Sequence, residues 1–166
     1  MFDLKPLSPS AIRPALVKAE RYRLLNEPEQ CQSICEDVLR ADPTSYDAHI
    51  MLILAITDGF PRSTADAARA SDLVAVLPSE YDRHYYAGLV AERRGRAVLF
   101  QGGMGESAGS HWLHRAMREY ERAEALRPSG NDDALLRWNA CARLFHSHPA
   151  LQRDEDEESP APITLE

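Results

Sequence analysis

The sequence predicts an all-helical (all-α) fold: about three antiparallel helix pairs stacked in a row, followed by a C-terminal capping helix. Three observations carry this expectation. Apolar residues recur at three- and four-residue steps, which gathers them on one face of a helix. No segment shows the two-residue alternation of a half-buried strand. Three runs rich in alanine and leucine also stop at a proline, at Pro43, Pro78 and Pro128. Proline lacks the N–H that a helix needs and its ring clashes with the preceding turn, so each marks a boundary. Pro43 and Pro78 are 35 residues apart and Pro78 and Pro128 are 50 apart. The first spacing is close to the ~34-residue period of helix–turn–helix repeats, and the second leaves room for an insertion.

Residues 1–10 form an extension ahead of a helical domain over 11–148. The first unit covers 11–43. There Ala19, Tyr22, Cys31, Cys35 and Val38 supply small, aromatic and apolar side chains to two helices. The second unit covers 45–78. Asp42-Pro43-Thr44-Ser45 offers a stop and an N-cap, and Ala48, Leu52, Ala55 and Ile56 share one face of a helix over about Ser45 to Thr57. Gly59-Phe60-Pro61 makes an irregular turn.

The third unit covers 80–128. Gly88 and Gly95 fall in its first half. Trp112, Leu113, Ala116, Met117, Tyr120, Ala123 and Leu126 line one face of the second helix, and Arg115, Arg118, Glu119 and Arg122 take the other. Gly102, Gly103, Gly105 and Gly109 fall close together, and each costs a helix about 1 kcal/mol relative to alanine. A mobile glycine-rich insertion over 101–110 is therefore expected, between a helix ending near Phe100 and one starting near Ser110. Ser129-Gly130-Asn131-Asp132 then leads into a cap over 132–146, its helix running from about Asp133 to Phe145 with Leu135, Leu136, Trp138, Ala142 and Leu144 covering the open end. Residues 149–166 read as a disordered acidic tail.

This arrangement resembles the tetratricopeptide repeat family, over about Ala15 to Pro128, with Ala116, Tyr120, Ala123 and Pro128 the strongest match; the resemblance implies that Ala19 and Gly88 stand at helix crossings, that Cys31 and Asp66 replace the usual alanine of the second helix, and that Gly95 lies at a turn. The resemblance implies a right-handed solenoid in which the first helix of each pair lines a concave groove. By register it implies that Leu16, Glu20 and Arg23, then Ile50, Leu54 and Thr57, then Tyr85, Leu89 and Glu92 face that groove. Family members that grip a C-terminal carboxylate do so with lysine, arginine and asparagine. Leu16, Met51, Asp82 and Tyr86 stand near those places here, so a hydrophobic or amphipathic segment is the better expectation. The implied function is an adaptor or assembly factor that binds a peptide or helix of a partner protein. The alternatives are a permanently bound structural subunit of a larger complex, contacting through its convex face or glycine loop, and a chaperone similar to the small tetratricopeptide chaperones of bacterial secretion systems.

The remaining features narrow the chemistry. The 166-residue chain carries a formal charge of −7, of which the last eighteen residues hold −5 through six acidic groups and one arginine. The body is thus nearly neutral, its basic residues interleaved with acidic ones, and nucleic acid is not an expected partner. The opening residues do not read as a secretory signal, and the apolar run from Ile50 to Ile56 is too short to span a bilayer, so a cytoplasmic location without membrane insertion is expected. Cys31 and Cys35, four apart on a helix, are poorly placed for a disulfide and suit the packing of small side chains. The glycines lack the strand before and the Lys-Ser or Lys-Thr after that a phosphate loop needs. His111, His114, His146 and His148 lack companion metal-ligand motifs. No catalytic residues, no metal and no cofactor are expected, and the chain is read as a non-enzyme.

Overall fold

The computed structural model describes residues 2–101 and 105–152. Seven α-helices occur among them, with no strand: α1 (Ile12–Leu24), α2 (Pro28–Ala41), α3 (Tyr46–Asp58), α4 (Ala67–Ala75), α5 (Glu80–Gln101), α6 (Gly105–Leu126) and α7 (Asp133–Ser147). Short 3-10 turns precede α1 at Pro9–Ala11 and follow α7 at Pro149–Gln152.

Local chemistry sets the corners. Asn26 adopts a left-handed conformation, φ 60°, which asparagine tolerates better than most residues. The Glu27 amide then reaches back to the Tyr22 carbonyl at 2.9 Å and the Asn26 amide to that of Arg23 at 3.0 Å, closing α1 in a Schellman motif. Pro28 starts α2, where its missing N–H costs nothing. Between α2 and α3 the Asp42 carboxylate accepts from the Thr44 amide at 3.0 Å and its hydroxyl at 2.8 Å, so the polar residues around Pro43 build the turn and Ser45 makes no side-chain cap. The expected irregular turn after α3 buries Phe60 completely, which anchors the turn with about 1.5–3 kcal/mol of apolar burial.

Each helix packs against the next, and α1 also touches α3, which in turn touches α5. One buried cluster joins α1 to α4 around Ala19, Cys31, Cys35, Leu52, Ile53, Phe60 and Val74, and α5 adds Val90 and Ala97 to it. A second joins α5, α6, α7 and the final turn around Leu113, Ala116, Tyr120, Cys141, Phe145 and Leu151. Helix α5 thus packs on both sides and holds the two halves together.

The third helix pair differs from expectation in a physically informative way. The glycine-rich insertion expected over 101–110 is mostly helix: α6 begins at Gly105, and only 102–104 lie outside the described residues. Gly95 is not at a turn but deep in α5, where a Cβ would meet the Gly109 carbonyl at 3.0 Å and the Trp112 Cβ at 3.2 Å. A Cβ on Gly109 would fall within the Leu99 side chain. The two glycines let α5 and α6 cross backbone to backbone, and close packing along both long helices outweighs their low helix propensity. Gly88 serves the same crossing, with the Tyr120 ring 2.7 Å from where its Cβ would stand.

Two further corrections concern the C-terminal end. Helix α7 buries Ala134, Cys141 and Phe145, and Trp138 and Leu144 of the expected face pack beside them, whereas Leu136 stays exposed. The expected tail boundary at 149 also moves: Leu151 is buried and its carbonyl accepts a 2.6 Å hydrogen bond from the Ser110 hydroxyl. The acidic stretch from 153 onward lies outside the described residues.

Candidate functional site

Helices α1 and α3 leave an open groove of about 300 Å³ between them, lined by Arg13, Leu16, Val17, Glu20, Tyr46, Asp47, Ile50 and Met51. Its apolar residues are only partly covered: Val17 is 45% exposed and Tyr46 41%, over half-buried Leu16, Ile50 and Met51. Arg13, Glu20 and Asp47 give the groove charges of both signs. The Tyr46 hydroxyl is pushed up to about 12 by burial and by its hydrogen bond to Asp82, so it stays neutral and able to donate.

Three of the expected groove residues, Leu16, Glu20 and Ile50, come together here. Met51, placed near the carboxylate-gripping positions of the family, joins them, whereas Val17 and Tyr46 were not among the expected contacts. Tyr46 stands one helical turn before Ile50, so the four-residue period could have found it.

Of the other expected contacts, Arg23, Leu54, Thr57 and Glu92 belong to two polar networks that tie helices together. In the first, Asp58 of α3 joins α1 to α5. Its Oδ2 accepts from Arg23 Nε at 2.6 Å and its Oδ1 lies 2.6 Å from Arg93 Nη1. Arg93 also donates to the Leu54 carbonyl at 3.0 Å and to the buried Thr57 hydroxyl at 2.6 Å. Burial pulls the Arg93 pKa down, and the Asp58 carboxylate opposes that shift. Arg23, Leu54 and Thr57 are therefore engaged in interhelical bonding.

The second network surrounds Glu92, which is 2% exposed. The Tyr120 hydroxyl donates to its Oε2 at 2.7 Å, Arg96 Nε donates to Oε1 at 2.9 Å, and Arg137 of α7 lies 3.6 Å away. Burial first, and then the Glu92 charge, push the Tyr120 pKa well up. Leu89 is 1% exposed. Leu89 and Glu92 are therefore buried rather than groove-lining, and the face of α5 that carries Glu92 is covered by Tyr120 of α6 and Arg137 of α7. Half-buried Tyr85 stacks on Tyr81 at 5.9 Å, meets Tyr86 edge-on at 5.0 Å and lies 6.0 Å from Tyr120.

The features weighed for other chemistry are also accounted for. Cys31, Cys35 and Cys141 are free thiols in the core. The hydrogen bond that the Cys35 thiol donates to Cys31, together with burial, holds Cys35 well up, and burial pushes Cys141 up to about 12. His111 meets Trp112 edge-on, His114 packs 4.4 Å from Phe145, and His148 Nδ1 sits 3.2 Å from the Leu144 carbonyl. Among the described residues no group of three or more His, Cys, Asp or Glu is placed to hold a metal ion. None of the helices described is long and apolar enough to cross a membrane. No family model, curated protein or solved structure matches the chain.

Proposed function

We propose that the chain is a tetratricopeptide-like solenoid that acts as an adaptor or assembly factor, holding an amphipathic peptide or helix of a partner protein between α1 and α3. The carrying observation is the groove itself, in which Val17 and Tyr46 stand exposed beside Leu16, Ile50 and Met51 and between charges of both signs. An amphipathic segment fits such a surface by burying its apolar residues on the floor and pairing its charges with Arg13, Glu20 and Asp47. The order of packing supports the solenoid reading, since each helix meets its neighbour and α1, α3 and α5 touch in series. A binding role rather than catalysis is favoured by the engagement of the reactive groups: the thiols are buried, and the Ser110 hydroxyl bonds the Leu151 carbonyl.

The test is affinity capture from native lysate with a Val17→Glu, Tyr46→Ala double variant beside the unaltered chain. A partner retained by the unaltered chain and lost by the variant, with native far-UV circular dichroism, supports the groove. A partner retained equally by both contradicts it.

A further inference from the structure

The even-numbered helices are joined differently along the molecule. On the α2 side of α4, two carboxylates meet two guanidiniums: Glu29 pairs with Arg62, which lies in the turn before α4, and Glu36 pairs with Arg69 of α4. Among the described residues, no comparable bridge joins α4 to α6. Helix α4 has 9 residues against 22 in α6, and its packing contacts go to α3 and α5.

A cleft of about 300 Å³ opens there, floored by Ala87 and Val90 of α5 and walled by Ser71 of α4 and by Trp112 of α6, with Arg94 and Arg115 beside the indole. The guanidinium carbon of Arg94 lies 4.0 Å from the centre of the Trp112 ring, and that of Arg115 lies 5.2 Å from it. Among the described residues, neither guanidinium has a carboxylate within ion-pair distance. The chain carries a net −7, so two unpaired arginines beside one tryptophan are not the by-product of a basic surface.

We propose that this cleft is a second binding site, which takes an acidic peptide segment of a partner protein. Contact with the indole restricts both guanidiniums, Arg94 the more closely, so less side-chain entropy is lost when they grip a carboxylate with paired N–H donors. The alanine and valine floor admits a small apolar side chain next to that carboxylate, which a bare inorganic anion would not use. Tryptophan and arginine together are the residue types that most often dominate the energy of a protein interface. The site shares no lining residue with the α1/α3 groove, so its standing is independent of the groove reading.

The probe is a blocked peptide of alternating glutamate and alanine, with a glutamine-for-glutamate counterpart and sodium phosphate as controls. It is titrated into the full chain while the indole N–H signals of Trp112 and Trp138, the two tryptophans present, are followed by NMR. A Trp138→Phe variant assigns the signals. The expected result is a saturable shift of Trp112 but not Trp138, weakened about tenfold to a hundredfold in an Arg94→Gln, Arg115→Gln variant with native circular dichroism. Four outcomes overturn the proposal. They are no shift at millimolar peptide, equal binding of the glutamine peptide, an equal response to phosphate, or a concentration-dependent Trp112 shift of the chain alone that makes a second copy the occupant.

Discussion

Replacing Glu92 by alanine removes the one acceptor shared by three donors, and the structure fixes what that costs. The Tyr120 hydroxyl, 2.7 Å from Oε2, sits on a ring with no exposure and has no route to water. Leaving such a donor unpaired costs about 1–3 kcal/mol. Breaking a buried charge pair costs about 3–5 kcal/mol. Arg96 and Arg137 are each about a third exposed and can turn toward solvent, which places the total near the lower end, at about 3–4 kcal/mol. For a chain of this size 1 kcal/mol moves Tm by about 2–4 °C, so Glu92→Ala should lower Tm by about 6–16 °C.

Urea unfolding followed by far-UV circular dichroism measures the effect, with Tyr120→Phe and the double variant completing a cycle. Tyr120→Phe alone loses a charge-assisted hydrogen bond worth about 1.5–3 kcal/mol. The double variant should cost about 1–2 kcal/mol less than the sum, because phenylalanine leaves no hydroxyl to orphan. A loss below about 1 kcal/mol for Glu92→Ala, or strict additivity, would refute the buried network and return Glu92 to a partner-facing role.

Three more outcomes follow from the packing. Gly88→Val drives a branched side chain into the Tyr120 ring, already 2.7 Å from an added Cβ, and should cost about 2–4 kcal/mol in thermal or urea unfolding; a stable variant would mean that α5 and α6 do not cross there. Asp58→Ala leaves Arg23 and Arg93 facing each other without their shared carboxylate. The groups are about a quarter exposed, so the loss should be about 1–3 kcal/mol and partly recovered in high salt, as urea melts at two sodium chloride concentrations will show. Cys141 holds its proton to about pH 12 when folded, whereas its ordinary value is 9.0. The unfolded chain therefore releases this proton first, and stability should fall between those two values by up to about 1.4 kcal/mol per pH unit. A Cys141→Ala variant should lose that part of the slope, and an unchanged slope would contradict the assignment.

Much of the architecture was legible in the residues. The four-residue apolar steps located α3 and α6, and the prolines marked where α2, α4 and α6 give way to connections, because helix periodicity and the missing proline N–H act locally. What escaped were effects of packing between helices. Gly109 reads as loop on propensity, yet the crossing of α5 and α6 at Gly95 rewards the absence of a side chain. Leu89 and Glu92 read as groove residues because register assigns a helix one open face, whereas α5 is covered from several sides. Their burial became visible only with Tyr120 and Arg137 in place. The site was legible in part: Leu16, Glu20 and Ile50 converge, but the aromatic edge at Tyr46 and the charge at Asp47 depend on how closely α1 and α3 approach.

The most direct test of the groove is site-specific photo-crosslinking in cells, with p-benzoylphenylalanine in turn at Val17, Tyr46 and, as a control on exposed α6 surface, Leu126. Peptide mapping by mass spectrometry then identifies what each position touches. The account predicts crosslinks from positions 17 and 46 to one amphipathic segment of the same partner and none to that segment from 126. Crosslinks to the partner from 126 alone would contradict it.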